Sequence, residues 1–357
     1  MSTQRRWWPV AGASGVAVLL AGLVLAACGG GGAARSGAAT SGGADVTITL
    51  YSGQHPQTTA ALVAAFEKQT GVRVRERDGD EDVLAQQIVQ EGSNSPADVY
   101  YSENSPDLQF LAGRGDLAEL GPAILGKVPS RYSSPQGSWV GVTARVSGIV
   151  YNTRLVRPSE VPRSVMDLAR PPWAGKLGLA PSETDFQPVI TSVERTYGHA
   201  AALSWLDGLK RNAGNHVYPD NETLVAAVNS GQVAVGIVDH YYWYRLAYAL
   251  GGAAHMRSRF ATFAPRDAGY VVDVSGAGVL RTSRHQAAAR RFVAFLVSKQ
   301  GQDIIARSQS YEYPLGSGVK TSQPIPAFSG LRPAPLSISE LGSGSGALAL
   351  LHEAQLL

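Results

Sequence analysis

The run Asp239, His240, Tyr241, Tyr242, Trp243, Tyr244, Arg245 sets two adjacent phenols, Tyr241 and Tyr242, directly after an apolar stretch. A free phenol, with an ordinary pKa of about 10, is a poor anion at neutral pH unless a strong Lewis acid displaces its proton. Ferric iron is such an acid, and hard oxygen donors suit hard cations. Zinc and copper(I) favour thiolates and imidazoles, and this chain has a single cysteine and seven histidines. The paired phenols therefore suggest a trap for a hard, trivalent metal ion. Taken alone, a tyrosine and tryptophan run is more often packing, so the rest of the chain has to decide.

Val46, Ile48 and Leu50 alternate with Thr47 and Thr49, which predicts a first strand. Thr58 or Thr59 can then cap a helix that carries Leu62, Val63 and Phe66 and ends at Gly71. A second strand over 72–74, a helix over 82–91 stopped by Gly92, and a third strand over 97–101 follow. Such alternation is the signature of an α/β fold with a largely parallel sheet. The stretch 140–151 reads as a long strand or strand pair crossing into a second lobe, where strands over 178–180 and 233–238 alternate with helices over 187–197, 200–212 and 222–229. A second apolar stretch, 268–280, returns to the first lobe, and 286–298 is an amphipathic helix. Two crossings make a hinge. The tail from Gly318 reads as irregular chain followed by a short helix near 348–351.

Arg5 and Arg6 precede an apolar stretch over 10–27 that ends in Leu25, Ala26, Ala27, Cys28. The pattern resembles a lipobox, which makes 1–27 a lipoprotein signal peptide and Cys28 the lipidated first residue of the mature chain. An uncleaved anchor is the alternative, but Gly12, Gly15 and Gly22 break a segment already short for a membrane span. Residues 28–44 read as a flexible tether rich in glycine, alanine and serine. The body is thus expected outside the cytoplasmic membrane, anchored through Cys28. As the only cysteine, Cys28 leaves no intramolecular disulfide, zinc ribbon or thiol redox pair. The net charge of +3 falls to +1 when Arg5 and Arg6 leave, which argues against nucleic acid as a partner. Roughly 310 residues follow the tether, more than one core usually holds. The expected division is 45–145 plus 270–322 for lobe 1 and 146–269 plus 323–357 for lobe 2.

His55 follows the first strand and Glu103 the third, each before a helical stretch, just as Tyr241 and Tyr242 follow the strand over 233–238. Open α/β sheets bind ligands beyond the carboxyl ends of their strands, so these four residues can converge on one cleft. Each has a plainer reading in isolation: a loop histidine bonding a carbonyl, a carboxylate at a helix N-terminus. Their shared placement raises the odds of a site. Two phenolates and a carboxylate carry −3, matching ferric iron, and a neutral His55 adds nitrogen without charge. Loading such a site releases protons, so acid should weaken it.

The stretches Tyr51, Ser52, Gly53, Gln54, His55; Pro96 through Glu103; Tyr241 through Tyr244; and Glu312, Tyr313, Pro314, Leu315 resemble the periplasmic ferric-ion-binding proteins, substrate receptors of iron(III) ABC transporters. The resemblance covers nearly the whole mature chain. It implies a two-lobed clamp of the Venus flytrap type. The family's histidine, glutamate and paired tyrosine ligands fall on His55, Glu103, Tyr241 and Tyr242. It further implies Fe3+ as transported ligand with carbonate or water as candidate co-ligand, ABC permease and ATPase subunits as partners, a monomer, and no enzymatic activity. The chain departs from better-known members where those hold a phosphate: Asn221 keeps the anion-binding type, but Glu183, Thr184, Asp185 and Asp239 replace smaller or neutral residues. Acidic side chains repel phosphate. Either one of Glu183, Asp185 and Asp239 supplies the missing oxygen while Arg145 balances the surplus charge, or these acids only hydrogen-bond the ligands.

Gly121 to Lys127 formally matches the start of a phosphate-binding loop, but Val128 stands where Ser or Thr is required. His240 is either a partner of the tyrosines or a solvated histidine. Two rival functions remain in view: a two-lobed receptor for a small organic or phosphonate anion, which would not need paired phenols, and a metal-dependent hydrolase, which would need an open coordination position and a general base.

Overall fold

The computed structural model describes residues 46–316 and 318–357. The signal peptide, Cys28 and the tether, expected over 1–44, lie outside the described residues.

β1 (Thr47–Ser52) buries Ile48 and Leu50 between its threonines. α1 (Pro56–Thr70) begins earlier than expected: Pro56 occupies the first turn, where a missing N–H costs nothing, and His55 holds the N-cap position. Thr58 and Thr59 are buried inside that helix, which ends at left-handed Gly71 as expected. β2 (Arg73–Asp78), α2 (Glu81–Glu91), β3 (Val99–Ser102), α3 (Ser105–Arg114), β4 (Leu117–Ala118) and the short α4 (Pro122–Leu125) follow. β5 (Trp139–Asn152) is buried along all 14 residues. Beyond it come β6 (Leu177–Gly178), α5 (Phe186–Tyr197), α6 (His199–Ala213), α7 (Asn221–Ser230), β7 (Val235–Asp239), α8 (His240–Ala249) and β8 (Ser258–Ala261). β9 (Val272–Leu280) leads to α9 (Gln286–Leu296), α10 (Lys299–Arg307), β10 (Tyr313–Pro314) and a tail closed by α11 (Ser345–Glu353). Among the described residues no helix is long and apolar enough to cross a membrane.

The strands order as β2-β1-β3-β9-β5-β7-β6, with β4 beside β9, and β8 and β10 beside β5. β5 changes partners along its length. Trp139 through Val146 pair with β9, whereas Ser147 onward pairs with β7 and β8. One strand thus serves two sheets and joins the two lobes of an α/β fold.

The sheets are mixed, not mostly parallel as expected. β1 runs parallel to β2 and β3, and β6 to β7, but every pairing made by β5 and β9 is antiparallel. These crossing strands are buried on both faces, so their sequence carries no alternation that would mark direction. The tail packs on helices far apart in the chain: α11 lies on α5 and α6, while Gln109 of α3 donates a 2.9 Å hydrogen bond to the Ile338 carbonyl.

Candidate metal centre

β1, β3 and β7 all end at one cleft, and their first residues beyond the sheet meet there. His55 stands at the N-cap of α1, Glu103 between β3 and α3, and Tyr241 and Tyr242 in the first turn of α8, with Asp239 at its N-cap. The sequence placed the phenols after a strand but missed the helix that aims them. All four side chains are buried. The Tyr241 hydroxyl donates to Glu103 Oε1 at 2.6 Å, and the Tyr241 and Tyr242 ring centroids lie 4.2 Å apart. His55 Nε2 lies 3.8 Å from Glu103 Oε1, and its ring meets Tyr241 edge-on at 5.1 Å.

The three acids that the sequence left open separate here. Asp185, just ahead of α5, accepts the Tyr242 hydroxyl on Oδ2 at 2.7 Å, and the same oxygen lies 2.9 Å from the Tyr241 hydroxyl, whose single proton it shares with Glu103. Asn221 Nδ2 reaches the same oxygen at 3.3 Å, and Asn104 Nδ2 donates to Oδ1 at 2.8 Å. Glu183 receives only a long 3.4 Å bond from Tyr242. Asp239 lines a small cavity with Ser147, Asp185 and Asn221. Burial, then the charge of Asp185, pushes its carboxyl well above the usual range.

Burial is also the main reason that both phenols hold their protons far more tightly than usual, and the Asp185 carboxylate adds to it. In this state they are hydrogen-bond donors to carboxylates, and a strongly polarising cation must displace their protons. Among the described residues, no three or more His, Cys, Asp or Glu side chains are gathered in a metal-binding cluster in this arrangement.

Arg145 lies on the β9-paired side of the partner switch in β5 and is fully buried. Its guanidinium pairs with Glu312, donates to Asn104 Oδ1 at 3.0 Å and lies 5.5 Å over the Tyr241 ring. Thr143 donates to the same Glu312 carboxylate at 2.9 Å, and Glu312 Oε2 lies 4.0 Å from His55 Nε2. Sequence reasoning noticed Glu312 only as part of a matching stretch and gave Asn104 no role. His240 is not solvated: Nδ1 accepts the Val146 N–H at 3.3 Å, Nε2 pairs with the Tyr311 carbonyl at 2.8 Å, and the ring stacks on Tyr313. Burial lowers its pKa to about 3, so it is a neutral tie between α8 and the crossing strand.

Residues 94–327 match the model of a family described as bacterial extracellular solute-binding protein. A Fe(3+)-binding periplasmic protein of Serratia marcescens is 35% identical over 317 residues, which cover 89% of this chain and 93% of that protein. A major ferric iron-binding protein of Neisseria meningitidis serogroup B is 33% identical over 309 residues, covering 86% and 92%. The crystal structure of iron-bound HitA from Pseudomonas aeruginosa superimposes with a TM-score of 0.83 at 40% identity, covering 87% of this chain and 99% of that one. The chain belongs to the bacterial extracellular solute-binding proteins, in the family that contains the periplasmic ferric-ion-binding proteins.

Proposed function

We propose that this protein is a lipid-anchored extracytoplasmic receptor that binds ferric iron between its lobes and delivers it to an ABC permease. The observation that carries the reading is the convergence of two buried phenols with Glu103 and Asp185 on one point. His55 and Glu103 come from the first lobe, Tyr241, Tyr242 and Asp185 from the second, so a metal held by all five bridges the cleft. Bound iron then stabilises the closed shape by differential affinity, and a permease can read that shape. Two phenolates, Glu103 and Asp185 carry one negative charge more than ferric iron cancels. Arg145 lies over the Tyr241 ring and is the nearby cation, but it is also paired with Glu312, so it offsets that surplus only in part. In this reading Glu183 and Asp239 lie outside the donor set, and Asn221 orients Asp185.

The lobe boundaries follow the strand that both sheets share. The partner switch between Val146 and Ser147 supports 45–145 plus 270–322 as lobe 1 and 146–269 as lobe 2. The packing of α11 on α5 and α6 supports placing the end of the tail with lobe 2. The relatives named for ferric iron support the choice of cargo, and the signal pattern before Cys28 supports the anchor.

Adding ferric iron to the mature protein should produce an orange to red phenolate charge-transfer band. Tyr241→Phe and Tyr242→Phe should each lose most of it. A wild-type protein that takes up no colour would defeat the reading in favour of an organic-anion receptor, and turnover of a substrate would favour the hydrolase.

A further inference from the structure

We propose that Glu81 is a latch that holds the two lobes together independently of the metal and so sets the rate at which iron leaves. The inference rests on the reading of the cleft as a ferric clamp, although Glu81 is not among the donors assigned to iron. Glu81 opens α2 on the first lobe and is fully buried. Its Oε1 accepts the Thr184 hydroxyl at 2.6 Å and Asn104 Nδ2 at 2.9 Å. Thr184 belongs to the opposite lobe, one residue before Asp185. Asn104 in turn reaches Asp185 Oδ1 at 2.8 Å, leaving Oδ2 to the phenols. Glu81 and Asn104 therefore grip two consecutive residues of the second lobe, immediately beside the metal donors.

The latch is fixed on its own side. The Tyr100 hydroxyl donates to the Glu81 carbonyl at 2.8 Å, and a Cβ on Gly53 would lie 2.5 Å from that of Glu81. A hydroxyl donating to a buried carboxylate is a charge-assisted bond, stronger than a neutral one and shielded from water. None of its atoms is among the donors assigned to the metal. Opening the loaded clamp must then break both the metal bridge and this bond, so the latch slows release without touching iron.

A double-mutant cycle with Thr184→Val and Glu81→Gln tests this. Thr184→Val keeps the side-chain shape and removes only the hydroxyl. Transfer of iron to excess EDTA should speed up about tenfold or more in each single variant, with the charge-transfer band unmoved. The double variant should release no faster than the faster single, because both remove one interaction. Small-angle scattering of the metal-free Thr184→Val protein should show a more open particle than wild type. Release within about twofold of wild type in Thr184→Val, additive effects in the double, or a shifted band, which would make Glu81 a ligand, each overturns the proposal. If Glu81→Gln does not fold, Thr184→Val decides. Should the tyrosine variants show that the cleft does not bind iron, the metal-free scattering still judges the latch by itself.

Discussion

Both phenol hydroxyls converge on one oxygen of Asp185, with Glu103 sharing the Tyr241 proton, so each proton to be displaced already points at a carboxylate. Asp185→Asn tests whether that carboxylate is a ligand or only a proton-bond acceptor. The amide keeps the shape and can still accept a hydroxyl, but it cannot offer a charged oxygen to the metal. We expect ferric affinity to fall at least about tenfold in the variant, since hydrogen bonds and ligands lose most when the charge goes. Wild-type affinity should change little on adding phosphate or carbonate; strong dependence on either anion would return that role to an exogenous ligand. That His55, Glu103 and the tyrosines stand at strand ends was legible in the sequence, because strand-end position is a local property. That Asp185, and not Glu183 or Asp239, lies closest to both phenols was not, because it depends on tertiary packing. Asn104 to Asp185 spans 81 positions and Arg145 to Glu312 spans 167, and no spacing rule announces such pairs.

The elements were read mostly from apolar alternation and glycine stops, and where those signals are clean the helices and strands fall within a few residues of expectation. α8 and α10 were missed. The first is a run of aromatics that imitates a buried strand end, and the second has few apolar residues to mark a face. The loop between β1 and α1 shows how one element sets another. Gly53 lies against the first residue of α2, and an added Cβ would sit 2.5 Å from the Glu81 Cβ and 2.8 Å from its Cα. Backbone cannot swing aside, so Gly53→Ala must displace either α2 or the segment carrying Gln54 and His55. We expect about 1–3 kcal/mol of destabilisation in urea unfolding, together with weaker iron binding because His55 moves. Unchanged stability and affinity would mean that the loop and helix give way without cost.

At the scale of the whole molecule, the packing that buries the phenols also raises their pKa, so the fold around them and their acidity are one problem. Free Tyr241 and Tyr242 are protonated across the physiological range, with burial as the first cause and neighbouring carboxylates adding to it. Iron-bound phenolates are not protonated. The metal-free form therefore binds more protons than the loaded form, and by linkage affinity rises with pH and falls in acid. With two phenols involved, loading should release about two protons per ferric ion, and the logarithm of the affinity should climb with a slope near two. Titrating the protein with a ferric chelate in weak buffer containing a pH indicator counts those protons directly. Repeating the titration with Tyr242→Phe should remove about one of them. An affinity that stays flat across mildly acidic to neutral pH, after correction for hydrolysis of the metal itself, would mean that the phenols keep their protons and that the cleft closes on something other than a hard cation.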